Sequence, residues 1–80
     1  MKISIIEEHI KKIIPNSTIT VVDTNGSGDH FSVMVISDVF DGLSLINRHK
    51  LIYKALNKFL NNEIHALQIK TITNKEYSNE

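Results

Sequence analysis

Apolar residues recur along residues 2–14 at spacings of three and four, placing Ile3, Ile6, Ile10 and Ile13 on one helical face. Glu7 with Lys11 and Glu8 with Lys12 add acid-first pairs one turn apart on its wet side. Pro15 lacks an amide donor and disfavours helical geometry at Ile14, so the helix is expected to stop there. The period then changes. Residues 18–23 and 30–37 are rich in β-branched side chains and predict two strands. In the second strand Phe31, Val33 and Val35 share the face expected to meet the helices, with His30, Ser32, Met34 and Ile36 opposite. The connector, residues 24–29, contains Gly26 and Gly28 and is too long for a two-residue turn, so it predicts a hairpin with a flexible loop.

A turn at residues 38–42 leads to a second helical segment, 44–60, with Ser44 as its N-cap. Leu45, His49, Ile52, Leu56 and Phe59 form the expected buried stripe, widened by Leu51, Ala55 and Leu60. Lys50, Lys54 and Lys58 repeat on the water side. One helix, or a short helix turning into a longer one, both fit this segment. Asn61 and Asn62 end it, residues 64–72 read as a third strand, and residues 74–80 are polar with at most one helical turn. The order α-β-β-α-β predicts an α+β fold with a small three-stranded mixed sheet covered on one face by helices. The second and third strands are joined through a helix, so they are expected to pair in parallel. A single domain is expected over residues 1–77, with a polar tail at 78–80.

Composition narrows the function classes. The 80-residue chain is 41% hydrophobic, ordinary for one small globular domain, and it has no Cys. A disulfide framework and thiolate chemistry of its own are therefore excluded, and a reducing, cytoplasmic setting is expected. No apolar run reaches membrane-span length, because Glu7, Glu8, Lys11 and Lys12 interrupt the richest stretch. Nine acidic residues balance nine basic ones, yet no acid lies between Gly42 and Asn62. Arg48, Lys50, Lys54 and Lys58 all fall in that interval, forming either a solvated helix face or a contact for nucleic acid or an acidic partner. Nucleophile motifs are missing, and Gly26–Ser27–Gly28 is too short for a phosphate loop. The expected class is a non-enzymatic binding module.

The blocks Asp29–His30–Phe31, Phe40–Asp41–Gly42, Asn47–Arg48–His49–Lys50 with Ile52–Tyr53, and Ile64–His65–Ala66 together resemble the BolA family. The resemblance runs from the first helix to about Tyr77 and implies a fold related to the class II KH domain. It also implies a monothiol glutaredoxin partner, with glutathione, and a [2Fe–2S] cluster shared between the two proteins. Some members are instead described as DNA-binding transcriptional regulators. This chain departs from the family in its hairpin loop, which holds neither the Cys nor the His often found there. Asn74 and Tyr77 also stand where the family usually has Pro and Trp.

On this resemblance His65 is the first candidate metal ligand and His30, at the mouth of the loop, the second. Imidazole suits iron and is known to replace thiolate at one iron of such clusters. His65 shares strand parity with Leu67 and Ile69, so it is expected on the packed face with one ring nitrogen accessible. The bland alternatives are a hydrogen-bonded strand-end residue for His65 and an exposed strand residue for His30. His49, on the apolar stripe, is expected to pack with a ring nitrogen satisfied by a polar neighbour. His9 reads as a surface residue. The isolated chain is expected to hold no cluster and to be a monomer or a weak homodimer. The DNA reading rests on Arg48, Lys50, Lys54 and Lys58, and lacks a Gly-x-x-Gly clamp because Gly42 stands alone.

Overall fold

The computed structural model describes residues 1–80, beginning with helix α1, Ile3–Ile13. Ile6, Ile10 and Ile14 are buried along one face of α1. Ile13, expected among them, is 37% exposed, because it lies at the edge of that stripe, at the helix end. Strand β1, Thr18–Asp23, pairs antiparallel with β2, His30–Ile36, in a register running from Thr18 opposite Ile36 to Asp23 opposite Phe31. Ser37 leaves the strand. Its hydroxyl donates to the Asn16 carbonyl at 2.8 Å and accepts from the Val39 amide at 3.3 Å, capping a 3₁₀ turn at Asp38–Phe40.

Helix α2, Leu45–Leu56, starts as expected, with the Ser44 hydroxyl accepting from the Asn47 amide at 3.2 Å. It contacts the core through its C-terminal half, where Ile52, Ala55 and Leu56 are buried. Leu45, in the first turn, is 62% exposed and drops out of the expected stripe. The segment then tightens into a 3₁₀ turn, Asn57–Phe59, which tucks Phe59 into the core and divides what the periodicity reads as continuous. The chain reverses through Asn61, whose φ is 61°. Ile64 is buried and bridges Leu60 in isolation, so strand β3 begins only at Ala66 and runs Ala66–Ile72.

β3 pairs in parallel with β2, giving a mixed three-stranded sheet in the order β1-β2-β3. Phe31, Val33 and Val35 of β2 pack with Ile6, Ile10, Phe40, Ile52 and Leu56 in one core. Each such burial contributes on the order of 1.5–3 kcal/mol relative to exposure. α1 and α2 pack on each other and on the sheet face that carries these residues, which confirms the α+β architecture. The chain ends in a short helix, α3, Asn74–Ser78, held by a capping box between Thr73 and Glu76. Because β2 and β3 run the same way, both begin at one end of the sheet, with His30 opposite Ala66.

Candidate functional site

That end of the sheet is built by the β1–β2 loop. Asp23 receives the Gly26 amide on Oδ1 at 2.9 Å and the Gly28 amide on Oδ2 at 2.8 Å. Thr24 donates its amide and hydroxyl to the His30 carbonyl, at 2.9 and 3.1 Å. The connector expected to be flexible is thus laced by hydrogen bonds. Gly28 adopts φ +80°, and a Cβ there would lie 3.2 Å from the Met1 nitrogen, so the loop closes best on glycine.

Asp29 follows, and the parallel pairing brings residue 65 beside it. Its carbonyl accepts the amides of His65 at 2.8 Å and Ala66 at 3.3 Å. Its carboxylate spans two rings: Oδ1 lies 2.7 Å from His30 Nδ1 and Oδ2 3.1 Å from His65 Nδ1. The Ser27 hydroxyl donates to the same carboxylate. Hydrogen bonds from Ser27, then from His30, hold the Asp29 carboxyl at about 2, below its ordinary 3.8. The two imidazole rings stand 6.3 Å apart between centroids and nearly perpendicular, at 85°.

Both candidate ligands are therefore in one place. His65, however, is not on the packed face: its side chain is 59% exposed. Pairing begins at Ala66, so His65 precedes the strand and its parity does not govern it. His30 is half-exposed on the face away from Phe31, as expected. Asp29, which joins them, belongs to the Asp29–His30–Phe31 block of the resemblance but is not a candidate site residue from sequence. Its only sequence signal is an acid directly before His30, and its role depends on a pairing with a residue far along the chain.

The other histidines lie elsewhere. His49 is half-buried on α2, and its Nε2 is buried without a hydrogen-bond partner, so the expected polar neighbour is missing. His9 is half-buried rather than a plain surface residue, with Nδ1 2.9 Å from the Ile5 carbonyl and its ring edge-on to Phe59 at 4.8 Å.

The basic surface loses Arg48. Its side chain is only 13% exposed, and its guanidinium forks onto Glu76 at 2.7 and 3.2 Å. It also donates to the carbonyls of Leu43 at 3.1 Å and Thr71 at 3.3 Å, so its donors are committed to tying α2 to β3 and α3. The Arg48 guanidinium, with the Thr73 amide, holds the Glu76 carboxyl at about 2. Glu76 in turn raises Arg48 above its already high value. Lys50, Lys54 and Lys58 remain exposed with no acid in ion-pair range, Lys58 Nζ lying 5.1 Å from the centre of the Phe59 ring.

No three His, Cys, Asp or Glu side chains are grouped to hold a metal. Two imidazoles and no thiolate cannot complete the four-ligand set of an iron–sulfur cluster. They do fit a cluster whose remaining ligands come from another protein, because the open end of the sheet leaves both rings accessible.

A family model described as BolA-like protein matches residues 3–76. An uncharacterized protein of Rickettsia prowazekii is 43% identical over 68 residues, covering 85% of this chain and 88% of its own length. The DNA-binding transcriptional regulator BolA of Escherichia coli is 37% identical over 79 residues, covering 90% of this chain and 75% of its own. The crystal structure of a Bol-like protein from Babesia bovis superposes with a TM-score of 0.85 at 26% identity, covering 99% of this chain and 92% of that one.

Proposed function

The chain belongs to the BolA-like family, and on that premise we propose that it is a docking partner lending imidazole ligands to a [2Fe–2S] cluster shared with a monothiol glutaredoxin. The observation that carries this reading is the pair His30 and His65, held on one carboxylate and open to a partner. Glutaredoxin and glutathione supply the thiolates that this chain lacks. A neutral imidazole in place of a thiolate makes the cluster site less negative and raises its potential. The shared cluster is cargo to be held or passed on, and the chain itself performs no covalent chemistry. A reducing cytoplasm suits such a complex.

The test is titration of the chain into cluster-loaded glutaredoxin, followed by visible absorption and circular dichroism. Wild type changes both spectra, and His65→Ala and His30→Ala diminish the change. Unchanged spectra with wild type end the reading, and a wild-type response from either variant removes that histidine.

A second reading, DNA binding, is favoured by the three exposed lysines of the α2 segment and by the name of the Escherichia coli relative. Lys50, Lys54 and Lys58 would contact phosphates, giving salt-dependent affinity without base selection. A mobility-shift titration of wild type and the Lys50→Glu, Lys54→Glu double variant tests it. Equal binding by the two excludes this surface.

A further inference from the structure

Resting on the cluster-sharing reading, we infer that Asp29 is a positioning residue that fixes the tautomer of His30 and leaves its Nε2 free for a metal. A carboxylate only accepts hydrogen bonds, so a neutral ring whose Nδ1 meets it must carry its proton on Nδ1. His30 Nδ1 hydrogen-bonds Oδ1 at 2.7 Å, whereas His65 Nδ1 lies 3.1 Å from Oδ2 as an ion-pair contact without hydrogen-bond geometry. The His30 ring then keeps its lone pair on Nε2, directed away from the carboxylate. Free histidine side chains favour the opposite tautomer, with the proton on Nε2, which would block that nitrogen.

The backbone makes the arrangement stiff. The Asp29 carbonyl accepts from the His65 amide at 2.8 Å, which anchors its backbone beside the start of β3. Ser27 and Asp23 fix the loop on its near side. Metal-bound histidines commonly donate their second nitrogen to a carboxylate in this way, and loss of that partner typically weakens metal affinity about 10–100-fold. Asp29 acts through the ring that it hydrogen-bonds.

Long-range proton–nitrogen correlation spectra of the uniformly ¹⁵N-labelled full chain, recorded at mildly alkaline pH, read the tautomers directly. In wild type His30 carries the proton on Nδ1. Asp29→Ala removes the acceptor, so His30 moves to a majority of the Nε2–H form. The same variant weakens the complex with cluster-loaded glutaredoxin about 10–100-fold. Nε2–H in wild-type His30 overturns the inference, as does an unchanged tautomer in folded Asp29→Ala or unchanged affinity beside a shifted tautomer. A dispersed amide spectrum establishes that the variant is folded, and if it is not, the wild-type tautomer decides alone. A wild-type spectrum with the His30 proton on Nδ1, beside a failed glutaredoxin titration, would end the cluster reading while leaving Asp29 in its positioning role.

Discussion

Asp29 holds His65 twice, accepting its amide on the carbonyl at 2.8 Å and facing its ring Nδ1 with carboxylate Oδ2 at 3.1 Å. The carboxyl is held at about 2 in the folded chain against an ordinary 3.8. A depressed acid stabilises the fold above its unfolded value and loses that contribution as pH falls through the folded one. The melting-temperature gap between wild type and Asp29→Ala is therefore expected to close as pH falls from 3.8 to about 2. Thermal melts across that range check it, and a gap that widened between those two values would contradict the pairing.

Arg48 makes four hydrogen bonds in a fork that Lys cannot copy, with contacts to Glu76, Leu43 and Thr71. Arg48→Lys is expected to destabilise nearly as much as Arg48→Ala in urea unfolding. Combined with Glu76→Ala, the losses should fall short of additivity, because the two side chains share one interaction. Full recovery with Lys would mean that charge alone matters there.

Leu56 is fully buried, and Leu56→Ala is expected to cost about 2–5 kcal/mol. An 80-residue domain has roughly 4–12 kcal/mol in total, so this one change threatens folding. Ile46, on the same helix but 70% exposed, should change stability by less than about 0.5 kcal/mol when replaced by Ala. Urea midpoints for the two variants, at equal slopes, make the comparison.

With Arg48 committed to Glu76, three lysines remain for phosphate contact. If DNA binds there, the slope of log affinity against log salt should be no steeper than about −2.7. Lys50→Glu with Lys54→Glu should flatten it further. A steeper wild-type slope would place the contact on another surface.

Local pattern was enough to read the strands and Ser44, because alternation and capping depend on near neighbours. It was not enough for Arg48, whose partner Glu76 lies far along the chain and looks like an ordinary polar-tail acid. The division of the α2 segment at Leu56 follows from burial of Phe59, which periodicity alone reads as one more helical position. His65 was recognised as chemistry-bearing but placed on the wrong face, since strand parity applies only from Ala66 onward. The role of Asp29 was hidden for the same reason: its block is legible, but nothing local says which residue the parallel crossover delivers to it.

The parallel crossover also ties the meeting of the two rings to maturation. His30 and His65 become neighbours only when β3 reaches β2 through the crossover, a non-local closure whose loop entropy must be met before its contacts form. A hairpin alone, or a chain lacking β3, offers single imidazoles with no chelate advantage. Anything that grips both rings therefore selects completed molecules and stabilises them by mass action, making this pair a built-in reporter of a finished fold.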